Sequence, residues 1–400
     1  MTEKIQVYGY RWVVLAAFMG INLAMQTLWI AYAPITGPAT KLYGVSELQI
    51  GMLAMSFMIA FIPLSIPVSW VIDTYGFRVA VSIGAVMMAV FGLLRGMAGT
   101  SYTLVLWTTF GIAAAQPFLL NAWTKVAANW FAVEERATAV GLITLANLIG
   151  TGIGMALTPF LIETMSIPNV QLLYGGVGAA TAVLFVLLAR EHPPTPPCAP
   201  GHEARALMLD GLKHAFRVRD FVLFLGVSFV GLGIFNGLST WIEDIVRPRG
   251  FSPTDAGTLG AMMLGGGLVG AVLIPALSDR QRKRKRWMAV GVIGAIPFVL
   301  GVAWSHSFEG LAVSSFGLGF FLTSVLPVGM QYSAEITAPT PEGTSNGLIQ
   351  LFGQGSVVFV YIMQVMKTPD GSYTPSLLFA VGMLVVSAGL VAVMKDPVFD

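Results

Sequence analysis

Twelve apolar runs, each long enough to cross a lipid bilayer, constrain this chain more than any other feature of its sequence. A membrane-spanning helix needs about 20 mostly apolar residues. Charged residues make up only 10% of the chain, against about 25% in soluble proteins. The sequence therefore predicts an all-α integral membrane protein with 12 transmembrane helices. The runs lie near 11–36, 47–71, 79–98, 102–124, 137–162, 170–190, 219–245, 255–277, 287–305, 309–334, 344–366 and 375–394.

The chain also contains an internal repeat with an offset of 206 residues. The polar loop 67–78 follows the second run and carries Asp73, and Asp279 heads the basic loop that follows the eighth run. At the same offset, Gly141-Leu-Ile143 aligns with Gly347-Leu-Ile349. Matches in a single register indicate a duplicated unit, and a unit of six apolar runs is typical of transporters built from repeated halves. We therefore predict two pseudo-symmetric six-helix halves.

The connection between the halves and the distribution of positive charge predict how the chain lies in the membrane. Residues 1–190 and 219–400 are predicted to form the two bundles, joined by a cytoplasmic linker, 191–218. The linker begins with prolines that favour an extended spacer and ends in a basic amphipathic stretch suited to the lipid surface. With the N-terminus inside, 17 of the 22 Lys and Arg residues face the cytoplasm, which is the usual bias. We expect both termini in the cytoplasm and the protein in the cell inner (plasma) membrane.

Several classes of function receive no support from the composition. The single cysteine, Cys198, excludes an intramolecular disulfide and a cysteine-based metal cluster. The four histidines lack helical pairing. We therefore expect no metal, no cofactor and no enzymatic activity. The net charge of +2 gives no argument for nucleic acid. The expected partners are a small-molecule substrate and the lipid bilayer, and the protein is expected to be a monomer.

The predicted membrane interior contains almost no ionisable residues, and this narrows the choice of substrate. An anion carrier would be expected to hold a buried Arg or Lys, and a proton-coupled pump a buried carboxylate or histidine. Aromatic faces, amides and hydroxyls suit a neutral molecule or an organic cation instead. The alternative is that a charge placed at a helix end lies within the cavity. The charges concerned are Arg95, Glu163, Glu243, Asp244 and Glu309 near outer ends, and Glu335 near an inner end.

Candidate ligand contacts come first from polar residues inside the apolar runs. Asn22, Gln26 and Trp29 lie on one face of the first helix. Two amides and an indole are poor choices for lipid contact, so this face is predicted to line the central cavity, with an interfacial tryptophan as the alternative. With the repeat offset, Trp29 aligns with Phe235, and Asn236 is the next residue. The two halves would then each present an aromatic ring at equivalent depth.

Gln116 in the fourth run is a further candidate. It precedes Pro117 and is the only strongly polar side chain in the middle of that run. This amide could contact a ligand or form a hydrogen bond between helices, and the sequence does not decide between these two roles.

Longer stretches of the chain match motifs of a known family. The motifs are Met55–Pro63, Trp70–Arg78, Gly319–Thr323, Leu326–Gly329, Glu335–Pro339 and, most specific, Glu342–Leu348. Two related halves of six spans are the architecture of major facilitator transporters, and within that superfamily the chain resembles the feline leukaemia virus subgroup C receptor-related transporters from about residue 10 to 394. The resemblance implies choline or ethanolamine transport, or haem-linked transport for some members. The animal members have long terminal tails that this chain lacks, so a bacterial homologue is expected.

The resemblance also implies roles for individual residues. The family's choline site is a small aromatic cage with a glutamine. Its tryptophan matches Trp29, in Trp-Ile-Ala-Tyr32, and its glutamine matches Gln116, in Ala-Gln-Pro-Phe118. The family's seventh-span tyrosine falls on Asn236, beside Phe235, and an amide there weakens the cage.

In the superfamily, the aspartate of the loop after the second span meets the start of the eleventh span when the cytoplasmic side is closed. Asp73 would then approach Glu342, and by the repeat Asp279 would approach the start of the fifth span at Arg136. A helix N-terminus stabilises a nearby carboxylate, while solvated loop charges are the alternative. Together with Arg78 and Arg280, these residues are predicted to gate the cytoplasmic side.

The sequence thus predicts an alternating-access facilitator of a small organic cation or polar amine such as choline or ethanolamine. Haem or another small metabolite is the alternative substrate. A membrane receptor or channel is the alternative from another class.

Overall fold

The helices of the protein follow the predicted runs closely. The computed structural model describes residues 8–132, 135–195, 213–337 and 342–396, apart from the side chains of residues 137 and 342–344. Its longer helices are α1 Arg11–Ile30, α2 Thr36–Tyr43, α3 Glu47–Tyr75, α4 Phe77–Met97, α5 Tyr102–Leu120, α6 Trp123–Trp130, α7 Arg136–Leu161, α8 Ile167–Leu188, α9 Arg219–Val246, α10 Pro253–Gln281, α11 Arg284–Trp304, α12 Phe308–Ile336, α13 Glu342–Gly355, α14 Val357–Val365 and α15 Thr374–Val393.

These helices make twelve membrane spans in the described part of the chain, which confirms the predicted all-α class and the number of spans. The first span runs over Arg11–Tyr43 and contains α1 and α2, and the fourth runs over Tyr102–Trp130 and contains α5 and α6. Both are longer than the predicted runs 11–36 and 102–124. The reason is that each helix is interrupted and then resumes in a less apolar segment, which a search for apolar residues does not detect. The eleventh span contains α13 and α14.

The predicted repeat is visible in the packing of the spans. The third span packs on the fourth and the sixth, and the ninth packs on the tenth and the twelfth. The first span packs on the fifth, and the seventh packs on the eleventh. Contacts between the halves follow the same symmetry, because the fifth span meets the eighth and the second meets the eleventh. The two six-helix halves are therefore pseudo-symmetric, as predicted.

The same register appears in the local structure at the ends of helices. Ser46 and Ser252 begin the second and eighth spans with the same reciprocal capping box, which satisfies backbone N–H groups at the helix start. Gly76 and Arg282 follow the ends of those two spans with φ values of 86° and 51°. A left-handed conformation is natural for glycine and unfavourable for arginine. Both spans are thus followed by a residue with positive φ, but the turns differ, because ψ is 161° at Gly76 and 38° at Arg282.

Apolar side chains cover the outside of the bundle. Trp107, Leu187 and Val313 are more than half exposed, and an exposed apolar surface of this kind suits lipid rather than water. We call the end of the molecule that carries Tyr43 and Arg249 the outer end, following the predicted orientation, and the opposite end the cytoplasmic end.

Candidate substrate-binding site and gates

Three of the spans are interrupted within the membrane. In the first span α1 ends at Ile30, a short 3₁₀ helix covers Ala33–Ile35, and α2 follows. In the fourth span two residues separate α5 from α6, shortly after Pro117. In the eleventh span Ser356 alone separates α13 from α14. Interrupted helices free backbone groups that other polar groups satisfy, and transporters commonly bind substrate and ions at such places.

Each interruption lies next to a residue that the sequence predicts as a ligand contact. Trp29 lies in the last turn of α1, and Gln116 lies one turn before the end of α5. Asn236 in the seventh span donates a hydrogen bond from Nδ2 to the Oγ of Ser356, at 3.4 Å. Trp29 and Gln116 therefore lie next to the interruptions of their own spans, and Asn236 contacts the interruption of the eleventh span.

The indole of Trp29 is held in one orientation by the second span. Its Nε1 donates to the carbonyl oxygen of Ala54 at 3.3 Å, and the residue is 9% exposed. Because this hydrogen bond lies at the edge of the ring, it does not cover either π face. The geometry suits an aromatic ring that offers a face to a cation.

The three side-chain amides of the first and fourth spans differ in how many of their polar atoms are hydrogen-bonded within the protein. Gln116 is buried, and no described residue forms a hydrogen bond with its Oε1. Gln26 is 8% exposed, and its amide has no hydrogen bond within the described ranges. Asn22 is fully buried, with Nδ2 donating to the Phe18 carbonyl at 2.9 Å and Oδ1 accepting from Trp123 Nε1 at 3.1 Å. Gln116 and Gln26 therefore retain amide atoms that a ligand could use, whereas Asn22 links the first and fourth spans.

The sequence reasoning missed two residues of this region. Ser356 forms the interruption of the eleventh span and receives the amide of Asn236; the dipeptide Gly355-Ser356 within an apolar run was the available indication. Asn147 in the fifth span is buried, and its Oδ1 has no hydrogen-bond partner. It is the only Asn or Gln in that span, and this is the pattern that identified Gln116. Phe235 is half-buried and packs against the core.

A network of ion pairs seals the outer end between the two halves. Glu47, at the start of the second span, pairs with Arg247 and Lys367 of the other half. Lys367 also pairs with Asp244 at 3.0 Å, and Arg247 pairs with Asp244 and, at 2.8 Å, with Glu243. A cavity of about 510 Å³ lies beside this network. We call these five side chains the outer seal.

Backbone and aromatic contacts complete the outer seal. The N–H of Gly37 donates to Glu243 Oε2 at 2.9 Å across an interval of 206 residues, which is the repeat offset. Equivalent positions of two related halves can touch only near their symmetry axis. Tyr373 donates to Asp244 Oδ2 at 2.7 Å, and burial raises the pKa of its hydroxyl, so Tyr373 stays a donor. The ring of Trp241 fills the space that a side chain at Gly51 would occupy, 2.0 Å from its Cβ position.

The outer seal explains the two charges that the sequence places at the outer end of the seventh span. Glu243 and Asp244 do fall near that end, as predicted, and they are buried, at 1% and 0% exposed. They are buried because residues from both halves pair with them. The gating residues predicted from the sequence were all cytoplasmic, so the sequence reasoning missed this gate.

At the cytoplasmic end, the ion pairs found between described residues stay within one half. Asp73 pairs with Lys125 at 3.6 Å, and Asp279 pairs with Arg284. Arg136 donates to the carbonyls that end α6, while Arg78 and Arg280 are exposed. The side chain of Glu342 lies outside the described part. The predicted contacts of Asp73 with the eleventh span and of Asp279 with the fifth stay predictions.

The loop around Asp73 is organised by a residue that the sequence reasoning did not identify. Glu191, which follows the sixth span, accepts the backbone N–H groups of Phe77 and Arg78 at 3.0 and 2.6 Å. It therefore caps the N-terminus of the third span, where a carboxylate is electrostatically favoured. A Cβ at Gly76 would lie 2.5 Å from the Glu191 carboxyl carbon, which is why a glycine is needed at that turn.

Comparison with known proteins identifies sequence relatives over nearly the whole chain. The Major Facilitator Superfamily model matches residues 11–361. The chain is 31% identical to "Solute carrier family 49 member A3" of Danio rerio, over 93% of this chain and 81% of that protein. It is 25% identical to "Choline/ethanolamine transporter FLVCR2" of Homo sapiens, over 98% of this chain and 78% of that protein. These relatives are animal proteins, so they give no support to the expected bacterial source.

Solved structures share the fold at low sequence identity. A bacterial homologue of the human lysosomal transporter Spinster superposes with a TM-score of 0.78 at 17% identity, covering 96% of this chain and 97% of the other. The nucleoside transporter NupG superposes with a TM-score of 0.71 at 14% identity, covering 95% of this chain and 98% of the other. Both agree with twelve spans in two halves.

Proposed function

Because this chain belongs to the Major Facilitator Superfamily, and is therefore a transporter, we propose that it carries a small organic cation or polar amine, such as choline or ethanolamine, by alternating access. The observation that carries this proposal is the coincidence of Trp29, Gln116 and the Asn236–Ser356 pair with three helix interruptions. Substrate sites of transporters commonly use such interruptions.

The chemistry of these residues favours a cation with a polar end. Trp29 offers a ring face to a cationic head group, and Phe235 offers a second ring from the other half. The amides of Gln116 and Gln26 can donate to or accept from a hydroxyl. Asn236 contributes a further amide, and Asn22 steadies Trp123 next to the fourth-span interruption.

The distribution of charge supports the same class of substrate. The buried charged side chains in the described ranges lie in the terminal turns of their helices, and they are Arg95, Glu243, Asp244 and Arg284. A carrier of anions would be expected to present a cationic side chain at mid-depth. The human relative is a choline/ethanolamine transporter by name, and this agrees with the proposal.

We further propose that two gates open in turn. The outer seal closes one side, and the cytoplasmic loops close the other when the outer seal opens. In this arrangement residues 1–190 and 219–400 move as two bundles joined by 191–218, both termini lie in the cytoplasm, and the protein works as a monomer in the plasma membrane. The cytoplasmic gate would consist of Asp73, Arg78, Arg136, Asp279, Arg280 and Glu342.

A thermal-shift panel on the purified protein tests the choice of substrate. A ligand that binds the folded state raises the apparent melting temperature, and the rise grows with the ratio of ligand concentration to Kd. Choline and ethanolamine are expected to stabilise the protein, and monocarboxylates are not. At a given choline concentration the shift should be clearly smaller in Trp29→Ala and unchanged in Trp107→Ala, whose ring is exposed at the surface of the bundle. Stabilisation by haem or a monocarboxylate, without any response to amines, would reject the proposed substrate class.

A further inference from the structure

Arg95 is a buried cation that the proposed transport mechanism does not use. It lies in the last turn of the third span and is 1% exposed. Its Nη2 donates to the carbonyl oxygen of Leu28 at 3.0 Å, and its guanidinium lies 5.6 Å from the centre of the Tyr32 ring. Its Nε and Nη1 are buried and have no hydrogen-bond partner among the described residues. A guanidinium has five N–H donors, so one carbonyl and one ring face leave most of them unused.

Two other arginines show how this protein normally satisfies such a group. Arg284 is nearly as buried, and it pairs with the carboxylates of Glu335 and Asp279. Arg249 donates to three backbone carbonyls at the end of the ninth span, at 2.7, 2.9 and 3.0 Å. Arg95 has no carboxylate among its contacts in the described part of the chain. A buried charge without a partner is costly, which points to a group that supplies negative charge.

A second unsatisfied side chain lies at the same depth on the neighbouring helix. Gln171 in the sixth span is fully buried, and within the part of the chain that the structure describes neither Nε2 nor Oε1 has a hydrogen-bond partner. The third and sixth spans touch there, since a Cβ at Gly96 would lie 2.4 Å from the Cα of Leu172. Arg95 and Gln171 are therefore next to the residues at which the two backbones meet.

We propose that Arg95 and Gln171 form a binding site for a small inorganic anion of the size of chloride, between the first, third and sixth spans. The unused guanidinium N–H groups and the amide N–H are donors, and an anion accepts several donors while it neutralises the arginine. A water molecule could accept one or two of these bonds but would leave the charge uncompensated. The close contact of the backbones favours a monatomic anion over sulfate or a carboxylate. This site does not depend on the identity of the transported substrate.

The test is the melting temperature of the purified full chain when chloride replaces gluconate at constant ionic strength and with the same cation. Binding to the folded state alone predicts a rise of about 2–4 °C that grows with the logarithm of the chloride concentration above Kd, with bromide equivalent to chloride and sulfate without effect. Arg95→Met should abolish the dependence on chloride, and Gln171→Leu should weaken it. Arg249→Met is the matched control, because that arginine is satisfied by carbonyls and its loss should leave the dependence on chloride intact.

Two results would overturn the proposal. One is an equal melting temperature of the unaltered protein in chloride and gluconate, which would mean that water satisfies these groups. The other is a full chloride response in both Arg95→Met and Gln171→Leu, which would place the anion elsewhere. If Arg95→Met does not fold, Gln171→Leu alone decides, because it removes no charge.

Discussion

Trp29 illustrates how one side chain can be both fixed and available. Its ring nitrogen is used by the Ala54 carbonyl, so the orientation of the indole does not depend on a ligand. Helical spacing and an apolar context were enough to predict that Trp29 lies inside the bundle, since both are local properties. The partner of its ring nitrogen was not predictable, because Ala54 has no side-chain feature that marks its carbonyl.

The first prediction concerns the ring of Trp29. Trp29→Ala removes a cation–π contact worth about 0.5–2 kcal/mol, so the affinity for choline should fall at least several-fold. Trp29→Phe should retain part of the affinity. Binding is measured by isothermal titration, with Trp107→Ala as the control for loss of a tryptophan. An unchanged affinity in Trp29→Ala would show that the ring of Trp29 does not contact the bound choline.

The second prediction concerns the amide of Gln116. If its free Oε1 accepts a hydrogen bond from a ligand hydroxyl, Gln116→Ala should weaken choline more than ethyltrimethylammonium, which lacks that hydroxyl. The expected difference is about 0.5–1.5 kcal/mol for one hydrogen bond. Competition binding with both compounds measures it. An equal loss for both would assign Gln116 a structural role between helices.

At the level of elements, the interruptions of the helices position the site. Pro117 made the interruption of the fourth span foreseeable, because proline removes a helical hydrogen bond. The interruption of the eleventh span at Ser356 carries no proline and was not predicted. Its position follows from packing against the seventh span, where Asn236 donates to the serine hydroxyl. Tertiary contacts of this kind are not visible in local sequence.

The third prediction concerns the loop after the second span. Asp73 pairs with Lys125 in its own half, and we propose that its carboxylate contacts the start of the eleventh span when the cytoplasmic side closes. Asp73→Asn should therefore weaken cytoplasmic closure and leave ligand affinity unchanged. A helix N-terminus stabilises a carboxylate by about 0.3–2 kcal/mol, so closure should become less favourable by roughly 2- to 30-fold.

Cross-linking of a cysteine pair placed across the cytoplasmic seam measures this closure, after Cys198 has been replaced. Asp220→Asn is a suitable control, since its carboxylate accepts the backbone N–H of Lys395 within the second half. Equal cross-linking yields with and without Asp73→Asn would show that Asp73 does not stabilise the closed cytoplasmic side.

At the level of the whole molecule, duplication explains which features were predictable. The twelve spans and their two halves follow from the length of the apolar runs and from the repeat, and both features can be read directly from the sequence. The outer seal was not predictable in the same way. Glu47 lies 200 residues from Arg247 and 320 from Lys367, and these side chains meet only after both halves have packed together.

The fourth prediction concerns the outer seal. Glu47 is the only carboxylate that the first half contributes to it, so Glu47→Gln should loosen the outer closure while the pairs within the second half remain. Accessibility of a cysteine at Thr40, which lines the cavity beside the outer seal, to a membrane-impermeant maleimide should rise several-fold, in a background without Cys198. Glu309→Gln is the matched control, an exposed carboxylate in the first turn of another span at the same end. If both variants label equally, the network does not hold the gate.

Counterflow of choline in proteoliposomes tests the central claim most directly, because it separates a carrier from a channel or receptor. Vesicles loaded with unlabelled choline and lacking a pH gradient are placed in labelled choline. An alternating-access carrier should take up label faster into loaded vesicles than into empty ones, and Trp29→Ala should reduce this difference. Equal rates in loaded and empty vesicles, or uptake only under an imposed proton gradient, would contradict the account.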